Sequence, residues 1–78
     1  MRAVRFYTTS GCHLCDEAWA LLEPVARRRG VAIECVDIMD DSVAESAYAA
    51  SIPVVECDAR AEPLRWPFDV AALYRYLP

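Results

Sequence analysis

Lysine is absent from this 78-residue chain. All eight basic residues are arginine, and twelve acidic residues leave a net charge of −4. That balance argues against a nucleic-acid partner, because binding a phosphate backbone needs a basic surface that displaces counterions. The one basic cluster, Arg27-Arg28-Arg29, reads instead as the cationic end of a helix, where each cation adds about 0.3–1 kcal/mol. No stretch approaches the roughly 20 apolar residues that span a bilayer, so no membrane role is expected. No long apolar leader follows Met1-Arg2, so a cytoplasmic location is expected. Histidine occurs once and glycine twice. The cysteines form a single C-x-x-C pair, whereas structural zinc usually takes ligands from two such pairs, so no metal site is expected. Aspartate at position 16 excludes the C-x-x-C-H pattern that attaches haem.

The chain is 56% hydrophobic, enough for one small core, and it is read as one domain over 1–78. Residues 2–8 have the β-branched and aromatic content of a strand. Residues 13–29 read as a helix, with Leu14, Ala18, Leu21 and Val25 on one face. Pro24 inside it removes a backbone donor and predicts a kink near Ala20–Glu23. Gly30 ends it in a left-handed cap. Residues 31–38, VAIECVDI, read as a strand covered on both faces of a parallel sheet. Ser42 to Glu45 fits a capping box opening a helix over about 43–50. Residues 52–57 make a third strand, 58–62 a polar loop and 64–66 a fourth strand. Residues 68–77 close as a helix, with Asp69 as N-cap and Phe68 stapled to Leu73. The order β-α-β-α-β-β-α implies an α/β fold with a mixed sheet and helices on both faces.

The segment TTSGCHLCDEA (8–18) carries the chemistry. Three uses of Cys12 and Cys15 stand open: a zinc site, a structural disulfide or a redox dithiol. In a cytosolic chain such a pair points to catalysis or metal rather than a staple. Cys12 falls where the first strand gives way to the first helix. There its sulfur would face the amides of Leu14 and Cys15 at the positive end of the helix. A protonated His13 would add to the stabilisation of a thiolate, while Asp16 and Glu17 would oppose it. Cys15, one turn in, is expected to be buried. That asymmetry suits an attacking and a resolving thiol. His13 otherwise reads as an exposed helix-start residue, and Asp69 as a plain N-cap. Cys35 and Cys57 read as small buried hydrophobes. Trp66 and Phe68 are expected to pack on the last helix.

Tyr7 to Cys15, with Ser51-Ile52-Pro53-Val54 some forty residues on and Trp66-Pro67-Phe68-Asp69 near the end, resembles the glutaredoxins. The nearest likeness is to the small glutaredoxin-like group whose motif reads C-H-L-C. The resemblance covers essentially the whole chain. It implies a thioredoxin-like three-layer sandwich and thiol–disulfide oxidoreductase activity, with Cys12 as nucleophile and Cys15 as resolving cysteine. It implies a substrate groove at Tyr7, His13, Ile52, Pro53 and Asp69. Pro53, cis in that family, would hold the Ile52 backbone open to an extended peptide or to glutathione. Partners would be a protein disulfide or glutathione as co-substrate, with no bound cofactor and a monomeric chain. An iron–sulfur cluster shared between two copies occurs among glutaredoxins, mainly with a single active-site cysteine. The chain departs from the pattern in three places. His13-Leu14 replace proline-tyrosine, Phe6 stands where thioredoxins bury an acid, and no Gly-Gly turn precedes Asp69. A rival reading is a non-catalytic or redox-sensing binding module on the same fold.

Overall fold

The computed structural model describes residues 2–78. Its elements run β1 (Ala3–Thr8), α1 (His13–Arg29), β2 (Ala32–Asp37), a 3-10 turn (Ile38–Asp40), α2 (Ser42–Tyr48), β3 (Val54–Glu56), β4 (Leu64–Arg65) and α3 (Val70–Tyr76). The four strands form one mixed sheet in the order β2-β1-β3-β4. β1 is parallel to β2 and antiparallel to β3, and β3 is antiparallel to β4. This is the expected α/β order, a thioredoxin-like sandwich.

The pleat of β1 divides it between two cores. Val4 and Phe6 join Val55, Leu22, Val25, Leu73 and Leu77 on the face covered by α1 and α3. Tyr7 joins Val54, Ile38 and Ala44 on the face covered by α2. Fully buried leucines such as Leu22 and Leu73 carry most of this packing; truncating one to alanine typically costs about 2–5 kcal/mol.

α1 occupies the expected 13–29 and runs unbroken through Pro24. Gly30 closes it at φ 68°, with Val31 N–H on the Ala26 carbonyl and Gly30 N–H on that of Arg27. That bonding pair is a Schellman motif. The buried face is Cys15, Ala18, Leu22, Val25 and Ala26. The expected face was offset, since Leu14 is exposed and Leu21 only half-buried. Counting from Cys15 rather than Leu14 recovers the true stripe.

Several expectations are corrected by the sheet order. β2 is an edge strand, not an interior one, and Ala32, Glu34 and Cys35 are exposed. Cys35 is therefore not a buried hydrophobe, whereas Cys57 is. α2 is capped one residue earlier than the expected box. The Asp41 carboxylate accepts from Val43 N–H and Ala44 N–H, both at 3.0 Å. The third strand shortens to Val54–Glu56 because Ile52 and Pro53 are bent into the preceding turn. On the other edge, Trp66 N–H reaches the Pro53 carbonyl at 3.3 Å. Pro63 and Pro67 flank this short edge strand. Prolines there remove donors that a neighbouring strand would need, which protects the edge from further pairing.

Arg29 does more than end its own helix. Its guanidinium donates to the carbonyls of Tyr74 (2.7 Å), Pro78 (3.3 Å) and Leu77 (3.5 Å). Arg60 donates to the carbonyls of Tyr76 and Arg75 at 2.9 and 3.0 Å. Two arginines from distant segments thus satisfy the open carbonyl end of α3, a favourable placement for cations.

Candidate functional site

β1 delivers the chain to a turn at Gly11, whose φ of 73° is accessible to glycine at little cost. Cys12 comes next as the N-cap of α1, in extended backbone. Its sulfur accepts from Cys15 N–H at 3.1 Å. The expected second bond, from Leu14 N–H, does not form. Cys12 and Cys15 are joined as a disulfide with Cα atoms 5.2 Å apart. The Cys12 sulfur therefore stands here for the thiolate that reduction would release. Cys15 is buried against the α1/α3 core and Cys12 is only partly buried on the same cluster. Of the two cysteines, Cys12 is the more accessible.

The side chains between and just after the cysteines, His13, Leu14, Asp16 and Glu17, are exposed. His13 is largely exposed and its Nε2 lies 3.4 Å from the Glu17 carboxylate, an i,i+4 pair. Leu14 is 45% exposed beside the disulfide. Thr9 ties the loop to the neighbouring strand through the Asp37 carboxylate at 3.1 Å.

The Ile52-Pro53 bond is cis, as is Trp66-Pro67, for which no local pattern gave a sign. The pairing of Tyr7 with Val54 carries Pro53 to the end of the sheet where β1 runs into the cysteine loop. Pro53 is buried and Ile52 packs on the cluster that also holds Cys12. One expectation fails here. The Ile52 amide is not open, because it donates to the Tyr48 carbonyl at 3.1 Å. Its carbonyl takes no donor among the described residues.

Tyr7 is turned into the sheet rather than toward the cysteines. It is buried, and its hydroxyl donates to Glu56 Oε1 at 2.9 Å. The same oxygen accepts from Arg5 Nε at 2.8 Å, and Oε2 accepts from the Tyr48 hydroxyl at 2.7 Å. Arg5 also reaches Asp58. The Tyr7 and Tyr48 rings lie 4.8 Å apart, and the Arg65 guanidinium sits over Tyr48. Hydrogen bonding from Tyr48, then from Arg5 and Tyr7, holds the Glu56 carboxyl below its ordinary range despite partial burial. The Tyr48 phenol is in turn pushed up to about 12, first by that hydrogen bond and then by burial. Sequence reasoning missed this hub. Its signal was a lone acid in the apolar run 52–57, on the face shared by Arg5 and Tyr7.

Asp69 caps α3, its carboxylate accepting from Ala72 N–H at 2.8 Å. With Leu64, Pro67, Phe68, Ala72 and Arg75 it borders an open cleft of about 450 Å³. Neither cysteine nor Pro53 lines that cleft. Trp66 meets Phe68 edge-on at 5.1 Å. The structure therefore joins Cys12 to Cys15, sets Ile52 on the same cluster, and turns Tyr7, His13 and Asp69 to other partners. Among the described residues, no group of three or more His, Cys, Asp or Glu side chains could hold a metal ion. No helix among them is long and apolar enough to cross a membrane.

Comparison with known proteins adds a family. The model of the Glutaredoxin-like domain (DUF836) matches residues 3–78. The chain is similar to the Northeast Structural Genomics target protein XcR50 from X. campestris in its X-ray structure. The two are 36% identical, the match covers 94% of this chain and 92% of that one, and the TM-score is 0.77. The solution structure of the same target matches at 36% identity, over 95% of this chain and 90% of that one, with a TM-score of 0.76. No curated protein matches.

Proposed function

The chain belongs to the Glutaredoxin-like domain (DUF836) family, and from that premise we propose that it is a thiol–disulfide oxidoreductase working through Cys12 and Cys15. The observation that carries this reading is the closed pair at a helix N-terminus, one cysteine partly exposed and the other buried. A helix N-terminus favours a thiolate, which is the attacking species. In the reduced protein, Cys12 thiolate attacks one sulfur of a substrate disulfide. A Cys12–substrate disulfide forms and the other substrate sulfur leaves as a thiolate that takes up a proton. Cys15 then loses its proton and attacks Cys12. The Cys12–Cys15 bond forms, and the second substrate sulfur leaves and is protonated. The substrate has gained two electrons and two protons; the pair supplies both electrons and the Cys15 proton, and solvent supplies the proton that Cys12 had already shed. A cellular dithiol or two molecules of glutathione would reduce the pair again.

The substrate class we propose is a protein disulfide or a mixed disulfide with glutathione, handled by a monomer without a bound cofactor or metal. Ile52 and Pro53 are the proposed substrate contacts, through the Ile52 carbonyl. His13, Tyr7 and Asp69 are engaged elsewhere and are weaker candidates for contact. The engaged Ile52 amide leaves one backbone bond rather than two for an extended partner there, whichever use the fold serves.

A redox titration in glutathione buffers, quenched by alkylation and mapped by mass spectrometry, tests the proposal. Reversible closure of Cys12–Cys15 within about −180 to −270 mV, where redox dithiols lie, supports it. Thiols that stay reduced throughout, or that bind stoichiometric metal, overturn it.

A further inference from the structure

We infer that Tyr48, held by Glu56, is a positioning residue that fixes the Ser51-Ile52 backbone next to the cysteine pair and so sets how tightly a disulfide substrate docks. This rests on the oxidoreductase reading above. α2 has only seven residues, too few to be stable by itself. Its C-cap, Ala49, is right-handed, so no glycine cap stops it as Gly30 stops α1. The Tyr48 side chain anchors its last residue. The hydroxyl donates to Glu56 Oε2 at 2.7 Å, the ring lies 4.8 Å from that of Tyr7, and Arg65 covers it. The Tyr48 carbonyl then accepts from Ser51 N–H at 2.8 Å and from Ile52 N–H at 3.1 Å. Glu56 belongs to β3 and is held by Arg5 of β1. A rigid sheet therefore positions the Ile52 backbone through one phenol.

This anchoring affects docking in two ways. The Ile52 carbonyl is presented in a fixed direction, ready for a substrate amide. The Ile52 amide is withheld, so a peptide docks through one backbone bond there rather than two. Releasing the phenol leaves the loop to be ordered by the substrate, which weakens docking without altering the sulfurs.

Tyr48→Phe tests this against Arg5→Met. Tyr48→Phe removes one hydrogen bond to the Glu56 carboxylate, and Arg5→Met removes another together with its charge and its contact with Asp58, but only Tyr48 touches the loop. With a disulfide-linked model peptide as substrate and dithiothreitol as reductant, Tyr48→Phe is expected to raise KM about five-fold. Its kcat and the midpoint of the Cys12–Cys15 couple should stay as in the wild type. Arg5→Met is expected to lower Tm and leave KM within two-fold. A KM rise equal in both variants, or absent from Tyr48→Phe, overturns the inference and leaves Glu56 a purely structural hub. If the wild type fails to turn over the peptide, the oxidoreductase reading fails instead. Amide hydrogen exchange then decides the positioning role by itself. Ile52 N–H should exchange faster in Tyr48→Phe and not in Arg5→Met, and equal rates in the two refute it.

Discussion

Two helices of this protein begin in the same way and do different things. Cys12 caps α1 by accepting from the amide three residues on, at 3.1 Å. Asp69 caps α3 by accepting from the amide three residues on, at 2.8 Å. In each case a side chain satisfies a donor that the helix leaves open. The difference lies in the capping atom and in the residue one turn beyond it. At α3 the cap is a carboxylate and the third residue is Ala72, so the contact ends as a structural bond. At α1 the cap is sulfur and the third residue is Cys15, so the geometry that caps the helix also sets two sulfurs within bonding reach. Burial completes the contrast, because Cys15 has 2% of its surface exposed while Cys12 is partly open. A helix N-terminus is thus a common scaffold, and its chemistry depends on which residues occupy the cap and the third position.

The most severe way to break that comparison is Cys12→Ser, which keeps a good N-cap and removes the proposed nucleophile. Disulfide exchange should be lost entirely, while circular dichroism and Tm stay close to those of the reduced wild type; residual wild-type turnover would refute the assigned role. Cys15→Ser comes next. On the proposed mechanism it leaves the attacking sulfur and removes the resolving one, so stable mixed disulfides on Cys12 should accumulate and be recoverable by mass spectrometry under non-reducing conditions. At α3 the matching change is Asp69→Ala. Loss of an N-cap costs about 1 kcal/mol, which in a domain of this size lowers Tm by roughly 4–8 °C. Exchange kinetics should not change, and a slowed reaction would instead assign Asp69 to substrate binding. The smallest effect concerns Glu56, an acid that caps no helix. Its carboxyl is held below the ordinary 4.5 by Tyr48, Arg5 and Tyr7. Its contribution to stability is complete above that value and is lost as pH falls through the lowered one. Denaturant melts should lose stability across that acid range, with a shallower slope in Glu56→Gln. The Tyr48 phenol has the opposite sign. Raised to about 12 from 10, it supports the fold below pH 10 and gives that up as pH climbs toward 12; absorbance titration of wild type against Tyr48→Phe reads this directly.

The parts of the protein that were legible in the chain are those set by neighbours in sequence. Helix α1 and its Gly30 stop, the Asp69 cap and the Cys12–Cys15 spacing all depend on contacts within five or six residues. The element order came from hydrophobic period and turn residues. The Asp41 cap was misplaced by one position because Ser42 and Glu45 offer an equally good local pattern, and only the actual backbone chooses between them. The face of α1 was misread because a leucine stripe beginning at Leu14 competes with one beginning at Cys15. Packing against Phe6 and Leu73 decides in favour of the second.

Other features could not be read from local pattern. The run VAIECVDI has the composition of an interior strand, yet the sheet order makes β2 an edge and leaves Cys35 exposed. The Glu56 hub joins residues 5, 7, 48 and 56, which meet only once β1 lies beside β3. The reach of Arg29 to the end of α3 spans nearly fifty residues of chain. Whether the Ile52 amide is free depends on where α2 ends, and that is fixed by a phenol bonded to the sheet. Sequence by itself determined the Cys12–Cys15 pair, the helix that begins at it and the order of elements, because these rest on short-range hydrogen bonds and side-chain period. Tertiary structure alone decided strand neighbours, the exposure of Cys35 and the accessibility of the groove backbone. Those depend on contacts between distant segments, whose partners exist only after the sheet has closed.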